Sequence, residues 1–169
     1  MNYENKKESI RQFESRWGYD CEYMYRLLEL SPEAFEKFEN FMPMSYHQGS
    51  VPLEVYWVAK LTASREADCG PCLELGVKMA LEAGVSGELV NAVARGESLQ
   101  GELELVRQYA NAVASASGID EELLRFMKSR YGDVVISELG VAIAAARVYP
   151  TIKRAMGLAQ SCSLMASVD

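Results

Sequence analysis

Glu66-Ala67-Asp68-Cys69-Gly70-Pro71-Cys72-Leu73 decides the fold of this chain. It separates two segments whose apolar residues recur at helical spacing. Before it, over about residues 53–67, Leu53, Trp57, Val58 and Leu61 share one side while Lys60 and Arg65 are expected to face solvent. After Pro71, a helix to about Ala83 is expected to turn Leu73, Val77, Ala80 and Leu81 inward, with Gly84 as its stop.

The same helical period runs outward in both directions. Upstream, Ile10, Phe13 and Trp17 lie on one stripe of an opening helix closed by Gly18, and a short helix follows over residues 22–30. Ser31-Pro32-Glu33 reads as an N-cap with proline in the first turn, and Phe35, Phe38, Phe41 and Met42 mark the buried face of a helix expected to end before Pro43. Residues 45–52, with the sole histidine His47, form a loop. Downstream, Ser86 caps a short helix, and Leu103, Val106, Ala110 and Val113 form a stripe ended by Gly118. Asp120 caps a helix that Gly132 ends. Val135, Ile136, Leu139 and Ile143 are the core side of a last helix expected to kink or stop near Pro150. No segment alternates long enough to argue for a half-buried strand. The expected class is all-α. Residues 1–50 form an N-terminal helical extension packed on a core of residues 51–160, and residues 161–169 a frayed tail.

A length of 169 residues suits one domain, and 49% hydrophobic with 24% charged residues suits a globular one. With 17 Lys+Arg against 24 Asp+Glu the net charge is −7, which repels phosphate backbones and anionic lipid; nucleic acid and membrane are not expected partners. The first residues lack the apolar stretch of a signal peptide, and residues 139–146 are too short to span a bilayer, so the expected compartment is the cytoplasm.

In a reducing compartment a close cysteine pair is catalytic or metal-binding more often than structural. At a helix start, Cys69 and Cys72 stand within bridging reach beside unpaired amides and the positive end of the helix dipole, which favours a thiolate. Three readings of the pair stay open: a working dithiol, half of a zinc site, and an inert structural pair. Zinc would need two more ligands, and Cys21, His47 and Cys162 are scattered singly, so no metal and no cofactor is expected. Asp68 is an expected N-cap whose negative charge opposes ionisation of Cys69.

The cysteine block, together with Ala83-Gly84-Val85-Ser86-Gly87-Glu88-Leu89-Val90 and the later Tyr131-Gly132-Asp133 and Ser137-Glu138-Leu139, resembles the carboxymuconolactone decarboxylase-like superfamily, in particular its alkyl hydroperoxide reductase D (AhpD-like) type. The resemblance covers roughly residues 51–157. It implies an AhpD-like orthogonal helical bundle, a homo-oligomer, and a Cys69/Cys72 pair cycling between dithiol and disulfide with help from a glutamate and a histidine. The histidine's place holds Gly76 and the glutamate's holds Trp57. Glu66, three residues before Cys69, and Glu54, one turn before Trp57, are the candidate replacement carboxylates. The leading functional reading is a thiol-disulfide oxidoreductase or peroxide-linked antioxidant protein with a thiol or disulfide redox partner. A non-enzymatic oligomeric protein with a redox-sensing or vestigial pair, and a decarboxylase of a small lactone acid, are the alternatives.

Overall fold

The computed structural model describes residues 3–159, and every regular element among them is a helix. In chain order these are α1 Tyr3–Trp17, α2 Glu22–Leu30, α3 Pro32–Ser45, α4 Leu53–Glu66, α5 Gly70–Glu82, α6 Gly87–Arg95, α7 Glu102–Ser115 and α8 Glu121–Ala155. The tail from residue 160, with Cys162, lies outside the described residues.

The helix starts follow local chemistry. The Ser31 and Ser86 hydroxyls accept the amides of Ala34 and Leu89, each at 3.3 Å, and the Asp120 carboxylate accepts those of Glu122 and Leu123, each at 3.0 Å. Each such cap stabilises its helix by about 1 kcal/mol. Gly132 adopts φ 82° and ψ 163°, so α8 is two helices laid end to end across a break at the expected place.

Two prolines behave differently from expectation. Pro43 sits inside the last turn of α3, where it removes one amide from a helix that ends two residues later. Pro150 stands inside α8, which continues to Ala155. An interior proline costs about 3 kcal/mol. Burial of Pro150 and packing of Tyr149 and Ile152 offset that cost. By length and composition α8 is apolar enough to cross a membrane, over a longer window than residues 139–146. The break at Gly132 and the packing of its faces on α3, α4 and α7 make it a core helix of this fold.

α4 is the central rod. It packs on α5, α6, α7 and α8, and Val55 to Ala59 and Leu61 to Ser64 are all buried, so it has no solvent stripe. This corrects the outward placement of Lys60, which is half-buried, whereas Arg65 is exposed as expected. Leu81 is likewise corrected: it is exposed. The core of α4 to α8 includes Val58, Leu61, Val106, Leu139 and Ile143, with Ala142 and Ala146 letting α8 approach closely. A second apolar cluster joins α1 to α3 through Ile10, Tyr23, Leu28, Phe35 and Phe38, and reaches Leu75 of α5 and Tyr149 and Ile152 of α8. The N-terminal helices therefore lie over the end of the core where the cysteines stand.

The loop between α3 and α4 is tied to α8. The Ser50 amide donates to Glu138 Oε2 at 2.7 Å, and His47 Nε2 stands 3.6 Å from Glu138 Oε1. Gly49, at φ 60°, passes so near this carboxylate that a Cβ would lie 2.1 Å from Oε1. A larger residue there would be strained at this φ and would push the Glu138 carboxylate off the Ser50 amide.

Candidate active site

After the C-cap at Ala67 the chain turns sharply: Asp68 takes a left-handed φ of 50°, and Cys69, at φ −126°, is the N-cap of α5. Asp68 is thus one residue too early to cap, which corrects that expectation; the capping backbone belongs to Cys69 itself. Gly70 and Pro71 fill the first turn, glycine avoiding a side chain at a buried position and proline presetting the helical φ. From α8, Arg154 Nη2 donates to Ala67 O at 2.6 Å and to Asp68 O at 3.5 Å, fastening the turn.

Cys69 and Cys72 are bridged, with a Cα–Cα separation of 5.3 Å. The two sulfurs are not equivalent. Cys69 is completely buried, whereas Cys72, one turn into α5, is partly exposed and lines a cavity of about 190 Å³ between the N-terminal helices and the core. Of the two sulfurs, Cys72 is thus the one that a molecule in the cavity can reach.

Tyr19, between α1 and α2, closes over Cys72. Its hydroxyl lies 3.7 Å from Cys72 Sγ, and because a bridged sulfur carries no proton the hydroxyl is the donor. Behind it, Lys153 Nζ donates to the Tyr19 oxygen at 3.2 Å and stands 4.6 Å from the Tyr19 ring centroid. Lys153 is only 3% exposed. Burial lowers its pKa from the ordinary lysine value, against the pull of Asp20 and Cys21, and burial raises that of Tyr19, so the low-dielectric setting keeps the tyrosine hydroxyl protonated and loosens the lysine's hold on its proton. The result is a chain of donors, Lys153 to Tyr19 to Cys72.

Across the cavity stands Lys60. Its ammonium donates to the Ser45 carbonyl and, at 3.0 Å, to the Tyr56 hydroxyl, and it faces the rings of Tyr46, Tyr56 and Trp57 at 5.2–5.8 Å. Burial lowers its pKa from 10.5 to about 8.

The candidate carboxylates lie elsewhere. Glu54 and Glu66 are exposed at opposite ends of α4, and neither lines the cavity. Trp57, at the position where the resemblance expects glutamate, is a buried core residue stacked edge-on against Tyr56. Gly76, where it expects histidine, does line the cavity, and a Cβ there would lie 2.9 Å from Leu61 Cδ2. A side chain at this position would enter the cavity only if the Leu61 methyl shifted aside. Cys21 is buried and free, and burial, with Glu14 and Asp20 nearby, pushes its thiol up to about 12. Among the described residues no three His, Cys, Asp or Glu side chains gather in a metal-binding cluster.

Sequence reasoning missed Tyr19, Lys60 and Lys153. The only available signal for Lys153 was a lysine in a segment rich in Tyr149 and Ile152, and proline at 150 argued against continuing the helix.

A crystal structure from Agrobacterium tumefaciens, of a protein of unknown function provisionally labelled as the antioxidant defence protein AhpD, is similar to this chain with a TM-score of 0.60 and 23% sequence identity, over 78% of this chain and 91% of that one. The two share the AhpD-like helical fold. No family model matches the sequence, and no curated protein matches it.

Proposed function

We propose that this AhpD-like helical chain is a thiol-disulfide oxidoreductase in which Cys72 exchanges with substrate and Cys69 resolves the mixed disulfide. One observation carries the reading: a Cys69–Cys72 bridge at a helix N-terminus, with Cys69 buried and Cys72 opening on a cavity under the Tyr19 hydroxyl. In the reduced protein the Cys72 thiolate attacks an outside disulfide, forming a mixed disulfide and releasing one thiolate. Cys69, as thiolate, then attacks the Cys72 sulfur and releases the second, so two electrons leave the protein as its own bridge forms. The Tyr19 hydroxyl hydrogen-bonds to the Cys72 thiolate, and Lys153 positions that hydroxyl.

The apolar cavity favours a second use of the same pair, on an organic hydroperoxide. The Cys72 thiolate bonds to one peroxide oxygen, the O–O bond breaks, and the leaving alkoxide takes a proton from Tyr19, which regains it from solvent. The resulting sulfenic acid condenses with the Cys69 thiol to give the bridge and water. Assembly into a homo-oligomer belongs to the same proposal.

The test is mass-spectrometric mapping of alkylated thiols across graded redox buffers. Reversible bridging of Cys69 and Cys72 at a potential of about −270 to −180 mV, the range of cellular dithiol proteins, is the expected outcome. A pair that never reduces, or never re-forms, removes the proposal. Tyr19→Phe and Lys153→Met should each slow alkylation of reduced Cys72 by about 3- to 10-fold, the worth of one hydrogen bond, and move its pH profile upward. An unmoved profile leaves Tyr19 a packing residue.

A further inference from the structure

We propose that the cavity against Cys72 is a binding site for a small apolar organic acid, with the carboxylate held by the Lys60 ammonium and the hydrocarbon body packed in the aromatic interior. The walls are built mainly from hydrocarbon: Ile10, Phe13, Met24, Phe35 and Met79 are among them, which calls for an apolar body. A cavity of about 150 Å³ accommodates benzene, so the 190 Å³ found here suits a molecule of about eight non-hydrogen atoms.

The charge of the occupant follows from the cations on the walls. Three charged side chains line the cavity: Lys6, Glu39 and Lys60. Lys6 and Glu39 neutralise one another at 2.8 Å. Lys60 has no carboxylate partner among the described residues; its two acceptors, the Ser45 carbonyl and the Tyr56 hydroxyl, are neutral. An ammonium has three donors, so one remains for a ligand. The cavity thus carries one uncompensated positive charge inside a chain whose net charge is −7. A half-buried charge is costly until it is paired, and a ligand carboxylate supplies the pair, whereas a neutral molecule of the same shape does not. Selection for acids over their neutral counterparts therefore rests on Lys60.

The route inward is also present. A wide surface depression of about 560 Å³ shares Phe13, Tyr46, Trp57 and Met79 with the cavity, and Tyr46 is 54% exposed. An acid entering between Tyr46 and Trp57 meets Lys60 there, because both rings stand within 6 Å of its ammonium. Binding does not depend on thiol chemistry. That the bound acid is also what Cys72 reacts with does rest on the redox reading above.

The experiment is isothermal titration of the full chain with benzoate and hexanoate, each against its amide, in the wild type, in Lys60→Met and in the Cys69→Ser, Cys72→Ser double variant. The acids are expected to saturate the wild type, with the amides at least tenfold weaker. Lys60→Met, its fold checked by its thermal melt, is expected to weaken the acids at least tenfold and to leave the amides unchanged or improved. The double serine variant is expected to keep acid binding, which separates this site from the fate of the redox proposal. Equal affinity for acids and amides, undiminished acid binding in Lys60→Met, or no saturation by either class overturns the assignment.

Discussion

Replacing Lys60 by methionine should stabilise the protein at pH 7, and the gain should shrink as the pH rises. An unfolded lysine holds its proton to about 10.5, whereas burial in the folded chain brings Lys60 to about 8. At about 1.4 kcal/mol per pH unit, that gap corresponds to a penalty of at most about 3 kcal/mol on the folded state below pH 8. Methionine keeps much of the stem and removes the charge. It forfeits the stacking of the ammonium on Tyr46, Tyr56 and Trp57, worth about 1–2 kcal/mol. It leaves no orphan behind, because the Ser45 carbonyl still accepts the Tyr56 hydroxyl at 3.1 Å. The net expectation is about 1–2 kcal/mol of added stability at pH 7, or roughly 2–8 °C in Tm for a chain of this size. The sign of the pH dependence follows from proton counting. Between about 8 and 10.5 the unfolded chain binds more protons at this site than the folded one, so the wild type gains stability with rising pH relative to a variant that has no proton to lose. Urea unfolding of both proteins at pH 7, 8.5 and 9.5, with the cysteine bridge intact and the slope m held in common, measures the difference. A Lys60→Met protein less stable than wild type by the same amount at all three pH values would refute the reasoning.

Glu104 should behave in the opposite sense: the Arg107 guanidinium, helped by the Leu99 amide and Gln108, holds its carboxyl at about 2 against an ordinary 4.5. Glu104→Gln should therefore cost about 1–3 kcal/mol at neutral pH by chemical denaturation, a deficit that disappears as the pH falls from 4.5 through 2. Cys21, buried with its thiol pushed up to about 12, should resist iodoacetamide in the native protein and react at once in urea; rapid native labelling would show that the N-terminal cluster opens. Gly76→His should lower stability by about 1–3 kcal/mol, because its Cβ meets Leu61, and Leu61→Ala should relieve part of that loss in the double variant, read by thermal melts.

The local punctuation of this fold was legible in the sequence because caps act over three or four residues: Ser31, Ser86, Asp120 and the break at Gly132 all stand where the pattern placed them. The cysteine pair was legible for the same reason. Lys60 was misread because α4 is wrapped by neighbours on every side, and a charged residue on such a helix has nowhere polar to go except a cavity. Pro150 was read as a kink or stop because proline removes a local hydrogen bond, while the tertiary packing that carries α8 past it lies in residues from the other end of the chain. Glu66 was attractive only by proximity in sequence to Cys69, and Glu54 only because it lies one turn before Trp57. The groups beside Cys72 and across its cavity come from distant segments, and no spacing rule connects them.

Tyr19 and Lys153, whose hydrogen bond overlies Cys72, are 134 residues apart. Closing so long a loop brings an entropic barrier before any contact rewards it, and long-range closures of this kind slow folding. During synthesis Cys72 emerges well before Lys153, so for that period the Tyr19 hydroxyl has no ammonium beside it. The two ends of the described chain thus meet beside Cys72, and a protein interrupted before residue 153 would lack the ammonium that holds the Tyr19 hydroxyl there.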